Sequence, residues 1–266
     1  RVPAITPSVR TTPTAGHRPR CESEPHRRGP NVTLELAAFD IETTGFTVDD
    51  EVTAIGFALP LGTRVFCQTA NRDVSGIESA VWEHVAEHAH VDVSVHPSET
   101  AMFEAVATFT RKRFRGSDVL LVAYNGERWR SGFDLPFLRT RLSRADHPWL
   151  FSDVPYADLL PIITNRFNTT VPVEQTHTEE ATSSENESRS DLVGAYETLC
   201  DGSYSEIDPF TDSEEAVTAF EEGRFTEVIC HNVADILRTR ALGRLAEQYC
   251  GKSDFKLKSL TPTVDA

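Results

Sequence analysis

Residues 34–45 read LELAAFDIETTG. The run 34–41 has the composition of a strand buried on both faces, and it ends on two acids, Asp40 and Glu42, placed two apart. On a strand, residues two apart project to the same face, so both carboxylates point together while Phe39 and Ile41 face the other way. Gly45 then permits a sharp turn and a close approach of backbone to a ligand. The spacing alone is cheap in so acidic a chain, because D-x-E occurs three times, at Asp40, Asp49 and Asp212. Only Asp40–Glu42 closes an apolar strand and leads into Thr43-Thr44-Gly45.

Outward from this strand, 52–59 (VTAIGFAL) and 64–69 (RVFCQT) read as two more strands. Turns at Asp49-Asp50 and Leu61-Gly62 make the three a candidate antiparallel meander. Helical periodicity follows at 77–90 and at 98–114, the second opening on Ser98 as N-cap. Residues 118–124 (DVLLVAY) read as a strand covered on both faces, followed by a helix over 135–144 and a strand-then-helix pattern over 154–167. Residues 168–191 hold nine Ser/Thr, six acids and three apolar side chains. They read as a disordered acidic insertion. Helical patterns return at 191–200, 213–222 and 226–249. This order predicts an α/β fold with a mixed five-stranded sheet, an antiparallel meander plus parallel strands, flanked by helices.

The chain has 266 residues, with 26 Lys+Arg against 41 Asp+Glu and a net charge of −15. Four of the basic residues are lysines (Lys112, Lys252, Lys256 and Lys258) and the rest are arginines. An acidic, Lys-poor composition resembles the proteomes of salt-loving organisms such as halophilic archaea. At molar salt the Debye length is about 3 Å, so net acidity does not argue against a nucleic-acid partner. No apolar run approaches the ~20 residues of a membrane span, which excludes an integral helical membrane protein. Cys21, Cys67, Cys200, Cys230 and Cys250 are odd in number and lack ligand spacing. They suggest neither a disulfide framework nor a zinc site, and read as free thiols in a reducing cytoplasm. Residues 1–30 are Pro- and Arg-rich without the apolar segment of a secretory signal, and read as a disordered basic arm.

Two further segments carry chemistry. Tyr124-Asn125-Gly126 is followed by a basic loop and then by FDLPFL at 133–138. Asp134, just before an apolar helix start, reads either as an N-cap or as a functional acid. In HNVADILRTRAL, His231 and Asp235 are four apart and share one face of a helix, while Val233, Ile236 and Leu237 can pack inward. That face reads either as a solvated surface or as part of a site.

Taken in order, the three segments resemble the motifs of the DEDD superfamily of 3′→5′ exonucleases, which have a ribonuclease H-like fold. The resemblance spans roughly 34–249. It implies an exonuclease-like domain over 31–250 with the insertion at 168–191, followed by a tail at 251–266. It also implies that Asp40, Glu42, Asp134 and Asp235 hold two divalent ions, Mg²⁺ or Mn²⁺. Hard cations prefer such oxygen ligands. Thr43 and Thr44 fall where the family holds the terminal nucleotide, and Phe46 falls where a Leu wedges against the last base. One subfamily orients the attacking water with a Tyr four residues before the last acid, the other with a His five before it. Here His231 stands at the Tyr spacing, as water-orienting group or base.

Residues 111–144 hold nine basic side chains against three acids. Such an island beside the second motif suits phosphate contacts, and Asn125, Arg128 and Arg130 are the candidate substrate contacts. Trp129 is placed to stack on an unpaired base. Asp158, in YADLLP, reads as a strand-end acid or a further polar group of the site. The sequence therefore predicts a metal-dependent 3′→5′ exonuclease on single-stranded DNA or RNA ends. Its rivals are a weakly active or inactive module that binds nucleic acid or a partner protein, and a structure-specific endonuclease on the same fold.

Overall fold

The computed structural model describes residues 34–116, 118–127, 133–172, 186–200, 204–212 and 214–263. All belong to one compact unit, Thr33–Ala266. The arm expected at 1–30 lies outside the described residues.

The chain opens with β1 (Glu35–Thr43), β2 (Val52–Leu59) and β3 (Gly62–Gln68), then α1 (Ile77–Val85), β4 (Val91–His96) and α2 (Glu99–Arg113). Next come β5 (Val119–Ala123), α3 (Asp134–Arg144), β6 (Pro155–Asp158) and α4 (Leu160–Arg166). A two-stranded ladder, β7 (Thr170–Pro172) with β8 (Asn186–Ser188), precedes α5 (Leu192–Leu199), α6 (Glu214–Glu222), α7 (Phe225–Tyr249) and β9 (Lys258–Ser259).

The main sheet runs β4-β3-β2-β1-β5-β6-β9, with β1 at its centre. β1 pairs antiparallel with β2 and parallel with β5, which is why its apolar residues are buried on both faces. Leu36 and Ala38 pack with Val81, Phe225, Val233 and Ile236, on the face covered by α1, α5, α6 and α7. Ala37, Phe39 and Ile41 pack with Met102, Phe103, Leu135 and Leu138, on the face covered by α2 and α3.

The predicted five-stranded mixed sheet is the core β3-β2-β1-β5-β6, and one strand extends it at each edge. β4 lies between the two segments read as successive helices. Its alternation of buried Val91 and Val93 with exposed Asp92 is that of an edge strand, too short for periodicity to separate from the helical run before it. α1 accordingly stops at Val85, short of residue 90. At the other edge, the segment read as a tail contributes β9, which pairs with β6 and buries Phe255 and Leu260. The flanks of the predicted insertion are ordered too: β7 and β8 pair, and the Tyr124 hydroxyl donates to the Ser190 carbonyl at 2.7 Å. Residues 173–185 lie outside the described residues. Among the described residues, Cys67, Cys200, Cys230 and Cys250 form no disulfide, and Cys21 lies outside them. Among the described residues, no helix is long and apolar enough to cross a membrane.

One buried ion pair fastens the start of β2 to both helices of the second face. Glu99, 7% exposed, accepts the Val52 amide at 2.8 Å and two bonds from the Arg141 guanidinium, at 2.9 and 2.7 Å. Glu99→Ala would leave Arg141 Nε and Nη2 and the Val52 amide without their acceptor, with only Nη1 still bonded, to Val48 O. It is expected to cost about 3 kcal/mol of folding stability, read by urea denaturation.

Candidate functional site

The site forms where β1 ends. A register irregularity between Glu42 and Thr43 ends the regular pairing with β2, just after Asp40 and Glu42 have stood opposite Gly56 and Ala54. The α7 layer covers this face, and from it Asn232 reaches the two acids. Its Nδ2 donates to Asp40 Oδ2 at 2.9 Å and reaches Glu42 Oε1 at 3.4 Å. Asn232 fits only because position 56 is glycine: a Cβ there would lie 2.0 Å from Asn232 Oδ1.

Asp134 arrives from the second motif. It is the first residue of α3, while the N-cap position is Phe133, with no side-chain capping bond. The capping alternative therefore falls, and the buried Asp134 carboxyl faces the other acids instead. The turn before it is held by Asp158, whose Oδ1 accepts the Asn125 amide at 2.9 Å and the Leu160 amide at 3.1 Å. Asp158 is thus a strand-end brace. Asn125 adopts a left-handed φ of 64°, and the Leu135 amide bonds back to Gly126 O at 2.8 Å. Gly126 is required there, since a Cβ would lie 2.6 Å from that of Ala123.

α7 brings His231 and Asp235. His231 is buried, so it is not a helix-surface histidine. Its Nδ1 lies 2.7 Å from Asp208 Oδ1, and its Nε2 lies 3.8 Å from Asp235 Oδ2. Arg238 Nη1 donates to Asp208 Oδ2 at 2.5 Å and to Asp235 Oδ1 at 2.7 Å.

The structure therefore brings Asp40, Glu42, Asp134, His231 and Asp235 together, and the electrostatics record the crowding. Burial pushes the Asp40 carboxyl well above its usual range, and the charges of Asp134, Glu42 and Asp235 push it further. Burial also raises Asp134, reinforced by Glu42, Asp158 and Asp235. Glu42 rises to about 7, chiefly by burial, with His231 and the Asn232 bond opposing. Burial alone would lower His231, but Glu42, Asp208 and Asp235 outweigh it and lift the imidazole to about 10. Burial likewise works to raise Asp208, yet bonds from His231 and Arg238 prevail and hold it below the usual carboxylate range.

The substrate-side candidates are less uniform. Thr43 Oγ1 donates to Gly45 O at 2.8 Å, and Thr44 Oγ1 accepts the Glu51 amide at 2.9 Å, so both hydroxyls brace the turn. Phe46 is 61% exposed, its ring edge-on to Phe133 at 5.1 Å. Arg128, Trp129 and Arg130 lie outside the described residues. Part of the basic island is committed internally: Arg141 to Glu99, Arg144 to Asp49 at 3.0 Å, and Arg139 over the Trp149 ring. Four contributors escaped the sequence reading. Asn232 sat unremarked inside HNVAD, and Gly56, inside an apolar strand, was the readable sign of a close approach. Asp208 gave no signal, since only folding places it beside His231, while Arg238 was readable only as a further residue of the same helix face, three beyond Asp235.

Two groups could hold a cation. Asp40, Glu42 and Asp134 offer buried or half-buried oxygen ligands whose mutual repulsion a divalent ion would relieve, and this donor set fits Mg²⁺ or Mn²⁺. Ligand atoms of Asp208, His231 and Asp235 also lie within 4.8 Å of one another. There, however, the Arg238 guanidinium already bridges the two carboxylates.

No family model matches the chain, and no curated protein matches it. Among solved structures it is similar to the family B DNA polymerase of the hyperthermophilic archaeon Pyrobaculum calidifontis, at a TM-score of 0.52 and 17% identity. The match covers 81% of this chain and 25% of the polymerase, so the chain spans about a quarter of that protein's length. This likeness is one of fold, and the fold is ribonuclease H-like.

The raised groups set a direction for stability. An ionised Glu42 destabilises the fold, and that penalty is relieved as pH falls from above 7 toward 4.5. The His231 contribution is complete below 6.5 and is lost as pH rises through about 10. Both make the metal-free melting temperature rise as pH is lowered from 8 to 5. Asp40→Asn should raise it at pH 8 by about 2–4 °C, the equivalent of roughly 1 kcal/mol in a domain of this size. Scanning calorimetry in EDTA checks both.

Proposed function

We propose that this chain is a metal-dependent 3′→5′ exonuclease that hydrolyses phosphodiester bonds at single-stranded DNA or RNA ends. The observation that carries the reading is the convergence of Asp40 and Glu42, Asp134, and Asp235 with His231 from three separated segments at the end of the central strand of a ribonuclease H-like fold. Their resemblance to the three exonuclease motifs supplies the reaction.

In this reading Asp40, Glu42 and Asp134 hold the divalent ions, and Asp235 contributes from α7. When bound, the ions supply an activated water and neutralise charge on the departing 3′ oxygen. The chain's own groups do the positioning. Asn232 keeps the first two carboxylates side by side, and the braced turn at Thr43–Gly45 holds backbone close to the strand end. Phe46 offers an exposed aromatic face for the last base. His231 directs Nε2 toward Asp235 and serves as the water-orienting group; to act as base it must first give up the proton that Glu42, Asp208 and Asp235 favour.

The Arg238 contact favours a second reading, because it draws charge from Asp235 and weakens it as a ligand. In that reading the fold binds nucleic acid or a partner protein and cuts weakly or not at all.

A digestion time course on 5′-labelled single-stranded DNA and RNA, in high KCl with Mn²⁺, Mg²⁺ or EDTA, separates the two. A metal-dependent ladder shortening from the 3′ end is expected, and binding without cleavage would establish the second reading. Asp134→Ala should cut the rate by orders of magnitude while leaving the far-UV circular dichroism unchanged. His231→Ala should lose about 10²–10⁴-fold, the usual worth of a positioned acid–base group. His231→Tyr, which restores the side chain usual at this spacing, should retain most of the rate.

A further inference from the structure

His231 stands where the apparent relatives carry a tyrosine, and the two side chains pose different problems. A phenol has one oxygen whose O–H rotates freely. An imidazole has two unlike nitrogens, and it serves only if the correct one faces the site. The segment 204–212, between α5 and α6 and outside all three motifs, bears on this problem.

Ile207 and Phe210 are buried and anchor the segment against the α7 face. Between them, the Asp208 side chain is only 4% exposed and meets His231 Nδ1 at 2.7 Å. Its other oxygen is bound by Arg238. A carboxylate so held has no proton to give, so the hydrogen of this bond sits on Nδ1. The Phe210 ring packs across the imidazole at 5.3 Å and 60°, which fixes the ring plane.

We infer that Asp208 is a positioning residue: by accepting the Nδ1 hydrogen it fixes the rotation of His231, and so presents Nε2 to the carboxyl cluster. It is the device that lets a histidine serve at a tyrosine's place. Arg238 completes it by tying Asp208 to Asp235, so that the loop, the imidazole and the last acid of α7 move as one unit. Asp208 is not a metal ligand here, because a cation among Asp208, His231 and Asp235 would displace that guanidinium or sit against it. The catalytic consequence rests on the nuclease reading, whereas the Asp208–His231 bond does not.

The test has two parts. In ¹⁵N-labelled wild-type protein, with and without Mg²⁺, nuclear magnetic resonance should show an exchange-protected imidazole Nδ1–H. His231→Tyr should abolish the signal, which assigns it, and Asp208→Asn should abolish it too. A wild-type protein lacking the signal, or one in which Mg²⁺ removes it by taking Nδ1 as a ligand, overturns the proposal. In digestion kinetics, Asp208→Asn should lower kcat about 10–100-fold, as loss of a hydrogen bond orienting a functional imidazole does, and leave KM unchanged. The same substitution should cost nothing further when added to His231→Ala or to His231→Tyr. Equal losses with and without the imidazole would show that Asp208 serves the fold alone, and would overturn the proposal. If Asp208→Asn fails to fold, the wild-type signal decides. If the wild type does not cleave, the nuclease reading falls, and the signal still decides whether Asp208 orients His231.

Discussion

Three carboxyl groups crowded against one another at the end of a central strand are the constraint around which this molecule is arranged. Asp40, Glu42 and Asp134 all have their protonated forms favoured, first by burial and then by neighbouring acids. Left alone, such a cluster opposes folding. Residues selected for stability would separate these acids or replace them, so their juxtaposition points to a function that uses concentrated negative charge.

The surrounding structure can be understood as the means of keeping the acids together. β1 is central and paired on both sides, which fixes the direction of Asp40 and Glu42 through the backbone. The absence of a side chain at Gly56 admits Asn232, whose amide bridges the two carboxyls. Asp158 and Gly126 shape the turn that delivers Asp134. On the far side, the Arg238 guanidinium gathers Asp208 and Asp235 around His231. Among the described residues, the first set of acids meets no arginine or lysine ion pair and has only the His231 imidazole beside Glu42, whereas the second set is bridged by Arg238. In the proposed reading that difference favours the first set as the one that takes metal.

The apolar run at 34–41, the meander behind it and the long helix at 226–249 were legible because each carries a strong period or a continuous buried stretch. The Asp40–Glu42 pair was legible because strand geometry puts alternate residues on one face. Asp134 was open to two readings, since an acid at a helix start is explained as well by capping as by chemistry, and only its tertiary neighbours decide. β4 and β9 were missed because short edge strands carry little pattern of their own and are created by the partner they pair with. Asp208 and Arg238 were illegible for a different reason. Asp208 acts through contacts with residues 23 or more positions away and sits in no motif, while Arg238, though inside HNVADILRTRAL, is given its role by the partner Asp208. Within the basic island at 111–144, Arg141 is committed to the buried Glu99 and Arg144 meets Asp49 at the surface, while Arg128 and Arg130 lie outside the described residues.

The central claim is that the proposed divalent-cation site is the cluster of Asp40, Glu42 and Asp134 with Asp235 at its edge, rather than the group of Asp208, His231 and Asp235. Anomalous diffraction from crystals soaked in Mn²⁺ tests this directly, because it locates the metal without reference to activity. The account predicts anomalous density bounded by Asp40, Glu42 and Asp134, with the Arg238 bridge between Asp208 and Asp235 intact. Density centred among Asp208, His231 and Asp235, with Arg238 displaced, or no density at Asp40 at saturating Mn²⁺, would contradict it.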